Sequence, residues 1–121
     1  MLPPILKDFK KAIRRLDEVL VLNKTSITRD SAIKRFELCF DLSWKAIKIY
    51  SKEQGFECNS PRTAFETAFK LRWVDHDEGW IDMIKDRNTS VHLYQERFAD
   101  HVYKKLPDYL KLYKELYERL E

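Results

Sequence analysis

Residues that interrupt regular structure are scarce. Two glycines and four prolines are spread over 121 residues, while Leu, Lys, Glu, Ile, Ala and Arg dominate. That leaves too little turn chemistry for a sheet built on tight hairpins and favours long helices. Long apolar runs are missing as well: no stretch reaches the ~18 residues of a membrane span, and the amino terminus lacks an apolar signal segment with a cleavage site. The expectation is a cytoplasmic protein with no membrane role. The two cysteines, Cys39 and Cys58, lie far apart, with no CxxC and no histidine at ligand spacing, so neither a metal centre nor a redox pair is indicated. Cys39 reads as a small core residue, whereas Cys58 falls in a polar turn where exposure is expected. An excess of one charge is also lacking: 23 basic against 20 acidic residues give +3, which disfavours bulk coating of nucleic acid.

What is present is helical periodicity. A chain of this length is read as a single domain spanning residues 1–121. Ile5, Phe9, Ala12, Ile13, Leu16, Val19 and Leu20 recur at three- and four-residue spacing after Pro3 and Pro4, predicting a first helix that ends near Asn23. Thr28 or Asp30 is the expected N-cap of a long second helix whose apolar face runs from Ile33 through Phe36, Cys39, Phe40, Trp44 and Ile47 to Tyr50, closed by Gly55. Ser60-Pro61 opens a third helix reaching about Trp73, and the acidic turn Asp75–Glu78 opens a fourth through Trp80, Ile81, Met83 and Ile84. The last helix runs from about Gln95 to the end, with Pro107 expected to kink or restart it. Basic runs at Lys7, Lys10, Lys11, Arg14 and Arg15, and at Lys45, Lys48 and Lys52, read first as solvated helix faces. The fold expected is all-α, an antiparallel up-and-down bundle of about five helices. Leu112, Tyr113, Leu116, Tyr117 and Leu120, with three tryptophans, carry more apolar surface than a thin bundle hides, which points to a two-fold dimer.

One segment carries chemistry. Arg87-Asn88-Thr89-Ser90-Val91-His92-Leu93-Tyr94 packs a bidentate cation, an amide, an imidazole and a phenol into little more than two helical turns. On a continuous helix Asn88 and His92 share a face, but Arg87 and His92 diverge by about 140° and Tyr94 points about 160° away from His92. One face cannot hold all four. Either the helix distorts over Thr89-Ser90-Val91, a poor helix former, or the groups meet in a cleft walled by a second subunit. The plain structural alternative is that Arg87 pairs with an acid while Asn88 and His92 satisfy buried backbone.

The pattern Arg87-Asn88-x-x-x-His92-x-Tyr94, preceded by Trp80 and by Phe36-Glu37 and Trp44-Lys45 on the long helix, resembles the HEPN superfamily. More narrowly, it is similar to the branch of nucleotidyltransferase substrate-binding proteins, or HepT-like toxins. The likeness runs over nearly the whole chain, including Gly55, Ser60-Pro61-Arg62 and the acidic turn before Trp80. It implies a dimeric helical bundle with both motifs facing a shared cleft, and a minimal nucleotidyltransferase encoded nearby as partner. It further implies metal-independent RNA cleavage in toxin members, and Tyr94 as a site where the partner attaches nucleotide.

The chemistry stands independently. RNA scission without a metal or other cofactor needs a 2′-hydroxyl deprotonated, a phosphorane stabilised and a 5′-oxygen protonated, and an imidazole serves either proton-transfer role. Two histidines from a dimer would divide these duties, with Arg87 gripping phosphate and Asn88 orienting His92 or a phosphate oxygen. The leading expectation is thus a toxin-type ribonuclease restrained by a nucleotidyltransferase, with Arg87, Asn88 and His92 catalytic and RNA as substrate. The alternative is a non-catalytic subunit that presents a substrate or nucleotide to the transferase, with Arg87 and His92 only as phosphate ligands. A helical interaction module without a small-molecule site is the third.

Overall fold

A computed structural model describes residues 3–92 and 94–121. Five α-helices follow one another: α1 Pro4–Leu20, α2 Ser26–Glu53, α3 Pro61–Lys70, α4 Glu78–Thr89 and α5 Glu96–Leu120, with a 3-10 turn at Ser90–His92 between the last two. The arrangement is an all-α, antiparallel bundle. The long α2 packs against each of the other four helices. Among the described residues, no helix is long and apolar enough to cross a membrane.

Local chemistry sets the helix ends. The chain leaves α1 at Leu20, earlier than the expected Asn23, and Val21 and Leu22 are exposed. The N-cap of α2 is Thr25, not Thr28 or Asp30. Its hydroxyl accepts from the Thr28 amide at 3.1 Å while the Thr28 hydroxyl accepts from the Thr25 amide at 2.8 Å, a capping box with threonine in the third position. Both α2 and α3 close in Schellman motifs. Phe56 N–H donates to the Ser51 carbonyl and Gly55 N–H to Lys52 at 3.0 Å each, with Gly55 at φ 88°. In the second motif Trp73 N–H donates to the Ala68 carbonyl at 2.8 Å, and the left-handed position is occupied by Arg72, at φ 62°. This ends α3 at Lys70, ahead of the expected Trp73. Pro107 neither ends nor restarts α5; it sits exposed within one continuous helix, where its ring projects to solvent.

The core is aromatic and centred on Tyr113, which is fully buried and donates its hydroxyl to the Phe36 carbonyl at 3.3 Å. Trp80 of α4 lies edge-on to Tyr113 at 5.7 Å and against Phe65 at 4.8 Å, and Phe9 of α1 meets Tyr113 at 6.1 Å. Gly79 lets α4 approach α5 here, since a Cβ at that position would lie 2.8 Å from Leu112 Cδ1. Two expectations are corrected. Cys58 is buried, not exposed, its Sγ lying 3.4 Å from Ser51 Oγ; Cys39 is buried too, and that burial pushes its thiol up to about 12. The apolar carboxy-terminal residues from which a dimer was inferred are inside: Tyr113, Leu116, Tyr117 and Leu120 are buried within one chain, as is Trp80. The large apolar side chains left in solvent are elsewhere, including Leu38 and Ile49 on α2, Val91 within the 3-10 turn and Tyr94 after it.

Because any residue with a Cβ is strained in the left-handed region and glycine is not, Arg72→Gly is expected to stabilise the fold by about 0.5–1 kcal/mol, read from denaturant unfolding. A destabilised variant would mean that the Arg72 side chain, not its backbone, matters at this corner.

Candidate functional site

The end of α4 is where the helix breaks, and two hydroxyls break it. Thr89 Oγ1 donates back to the Asp86 carbonyl at 3.0 Å and Ser90 Oγ to the Arg87 carbonyl at 2.7 Å. Such bonds to the preceding turn compete with the regular helical ladder and tighten it. The next residues become the 3-10 turn, and the chain re-enters a helix at Glu96. The distortion expected over Thr89-Ser90-Val91 is present within one chain.

Two clamps hold this corner to the bundle, and neither was read from the sequence. On the α4 side, Asp86 is buried yet keeps two partners on α5: it accepts from the Tyr109 hydroxyl and pairs with Lys105 Nζ at 2.9 Å. Burial, with Asp86 at its side, raises the Tyr109 phenol well above its ordinary range. On the α5 side, Arg29 of α2 is buried and reaches Glu96 at 3.0 Å, Asp100 at 3.3 Å and Asp30 at 2.9 Å, with Lys24 joining Asp100 at 2.9 Å. The hydrogen bond from Arg29 holds Glu96 below the ordinary carboxylate range, and that from Lys24 does the same first for Asp100.

Between the clamps, the four motif residues part company. Arg87 is half-buried in the last turn of α4; its Nη1 is 3.5 Å from Glu37 Oε2, and its Nε is buried with no hydrogen-bond partner among the described residues. It lines a groove of about 310 Å³ between α1 and α2, and His92 is not among the residues of that groove. Asn88 is exposed on α4. His92 is exposed at the end of the 3-10 turn, its ring 5.9 Å from that of Phe98, and Tyr94 is 76% exposed. The helix break brings these last two together, against the opposed directions a regular helix would impose: the Tyr94 hydroxyl is 3.2 Å from His92 Nδ1. Arg87 pairs with an acid, as the plain alternative anticipated, but His92 and Asn88 face solvent, not buried backbone. Leu93 lies outside the described residues.

A family model for nucleotidyltransferase substrate binding protein-like sequences matches residues 5–121. The chain belongs to that family. The solved structures similar to this substrate-binding-like chain include a Thermus thermophilus protein, 34% identical over 93% of this chain and 98% of the other, with a TM-score of 0.87. A Haemophilus influenzae structure, described as revealing the fold of a substrate binding domain of a nucleotidyltransferase, matches with a TM-score of 0.82 at 22% identity over 95% and 98% of the two chains. None of the proteins of curated function matches. In this member of the family, the Arg87-to-Tyr94 segment sits where α4, α5 and the start of α2 are tied together. Among the described residues, no cluster of three or more His, Cys, Asp or Glu side chains is placed to hold a metal ion.

The acid side of the stability profile follows from the Arg29 clamp. Its carboxylates bind protons less readily folded than unfolded, so their contribution is present above the ordinary values of 4.5 for Glu96 and 3.8 for Asp100 and is lost as pH falls through their lowered ones. Arg29→Met is expected to flatten the fall in melting temperature below about pH 4. An unchanged slope would place the acid-sensitive groups elsewhere.

Proposed function

We propose that this chain is the substrate-binding subunit of a minimal nucleotidyltransferase, a single domain over residues 1–121 that works as a two-fold homodimer. The observation that carries this reading is the division of the motif: Arg87 opens onto the α1–α2 groove, while His92 and Tyr94 stand on an exposed turn outside it. Groups so placed can hold a phosphorylated substrate for a second protein, and they do not form an enclosed catalytic centre in one chain. Family membership supports the same reading, and the printed description of the Haemophilus influenzae relative agrees with it. The order of the two readings drawn from the sequence is therefore reversed, with presentation ahead of RNA cleavage. Arg87 and His92 bind phosphate, Asn88 lends a hydrogen bond at the rim, and the partner supplies the catalysis.

The test is co-expression with the minimal nucleotidyltransferase that the resemblance places beside it. The two proteins are expected to co-purify around a dimer of this chain, and Arg87→Ala or His92→Ala should weaken substrate use by about tenfold or more, the worth of a charge-assisted contact, without dissolving the complex. A monomer in sedimentation that retains no transferase sinks the reading.

The ribonuclease of the HEPN and HepT-like type is kept as a second reading because of one contact. The Tyr94 hydroxyl at 3.2 Å from Nδ1 orients the His92 ring and leaves it open to solvent, as a general base or acid shared across a dimer requires. The exposed Tyr94 phenol would also be open to a nucleotidyl group from the partner, whose negative charge would oppose a second phosphate at the cleft. On this reading, purified protein cuts RNA in EDTA to leave a 2′,3′-cyclic phosphate, and His92→Ala and Arg87→Ala each abolish the cut. Incubation with transferase, ATP and magnesium silences it with a mass shift that Tyr94→Phe removes. Intact RNA under all these conditions leaves the binding subunit alone in the field.

A further inference from the structure

A second hollow lies at the other end of α4 from the motif, where the chain turns out of α3 and meets α5. Its volume is about 260 Å³, and it shares no residue with the groove beside Arg87. The corner supplies its apolar walls. The left-handed Arg72 turns the chain so that Trp73 follows, half-buried and edge-on to Tyr50 of α2 at 6.5 Å. Trp80, in the first turn of α4, is a buried wall held by Phe65 and Tyr113. Leu112 of α5 adds an aliphatic wall beside Gly79. Glycine is a poor helix former, but a Cβ there would meet Leu112 Cδ1 at 2.8 Å, so any other residue shifts that wall.

The charged lining is acidic. Asp75 and Glu115 both belong to it, Asp77 and Glu78 continue the same turn, and the exposed His76 is its other titratable group. Asp75 is matched: Arg119 Nη2 donates to it at 2.9 Å, and that bond holds its carboxyl below the ordinary range. Glu115, one turn before Arg119 on α5, is half-buried and, among the described residues, has neither a hydrogen bond nor a cation within ion-pair distance. The two tryptophans are alike in this. Lys48 lies over the Trp44 ring at 5.9 Å and Lys10 over that of Tyr117 at 5.8 Å, but among the described residues no cation stands over Trp73 or Trp80. Indole is the best aromatic partner for a cation. A carboxylate and indoles that find no cation within the chain match an ammonium group from outside it. An anion meets two carboxylates here, a neutral apolar molecule does nothing for the Glu115 charge, and a metal ion finds no cluster of three ligands among the described residues.

We propose that this hollow binds a small organic cation, its ammonium group between the Glu115 carboxylate and the Trp73 ring and its carbon body against Leu112 and Trp80. The volume lies below the ~300–1,000 Å³ of sites for drug-sized ligands, which sets the scale at a short aliphatic or aryl body bearing one or two ammonium groups. The site involves neither Arg87 nor His92, and so stands or falls apart from the substrate-presentation reading.

Titration of the purified full chain with choline, putrescine and phenethylamine, each followed by calorimetry and by the indole N–H signals in heteronuclear NMR, tests it. Phenethyl alcohol is the uncharged counterpart. Saturable binding of at least one amine is expected, moving the Trp73 and Trp80 signals and leaving that of Trp44, which lies outside the hollow. The alcohol should bind at least about tenfold more weakly than phenethylamine. Glu115→Gln should weaken amine binding about tenfold and Trp73→Leu about fivefold, the worth of a charge-assisted contact and of a cation–π contact. Glu118→Gln, which removes an exposed acid on the same helix, should leave it unchanged. Because the indole signals are read on the wild-type chain, the test survives a variant that does not fold. No binding by any of the three amines overturns the site, as do equal binding of the alcohol, movement at Trp44 in place of Trp73 and Trp80, and a loss that Glu118→Gln reproduces. If the amines do not bind and Glu115→Gln instead abolishes co-purification with the transferase, the corner is a protein contact and the proposal ends. A chain that binds amine yet captures no transferase keeps this site and loses only the substrate-presentation reading.

Discussion

A carboxylate is expensive to bury, and Asp86 is buried in the last turns of α4. It can be there because α5 brings it a phenol hydroxyl from Tyr109 and an ammonium from Lys105, which together replace the water it gives up. This contact fixes the rotation of α4 about its axis, since any other rotation would leave the charge without partners. Arg87 is the next residue, and the same rotation aims it at α2 and the groove. One turn later the Thr89 and Ser90 hydroxyls close the helix, and the exposed turn that carries His92 begins. The position of every motif group thus follows from a residue with no direct chemistry of its own.

The Arg29 cluster does the same from the other side. A buried guanidinium with three carboxylates ties the first turn of α5 to the first turn of α2, only a few residues beyond Tyr94. His92 and Tyr94 thus stand on the connection between the Asp86 and Arg29 clamps.

The bundle itself was legible because its signal is local. Phe9, Ala12, Ile13, Leu16 and Val19 repeat at helical spacing and are buried, and the Ser60-Pro61 cap opens α3 where expected. Helix ends were less so. Thr25 and Thr28 cap each other without the usual acidic partner, and an arginine holds a corner where glycine would signal the stop. The clamps were illegible for a different reason: Arg29 and Glu96, or Asp86 and Tyr109, are neighbours only after folding, and nothing in their spacing distinguishes them from solvated charges. Surface estimates from composition failed likewise, since the carboxy-terminal tyrosines and leucines that suggested a dimer supply this chain's own core.

The motif was legible as a set of residue types, and a break over Thr89-Ser90-Val91 was one of the two geometries those residues allowed; which groups the break would bring together was not legible, because that depends on how the chain turns after it. Had α4 continued, Tyr94 would oppose His92 and Asn88 would stand beside it. The break changes the first relation, since the phenol meets the imidazole at 3.2 Å, while Arg87, which a continuous helix would also turn away from His92, faces Glu37. A phosphodiester needs a cation and a proton-transfer group at the same phosphorus to be cut, whereas a substrate that is only held can be gripped at separated points along its length. Separated grips are what one chain offers, so cleavage would depend on a second copy completing the constellation, and presentation would not.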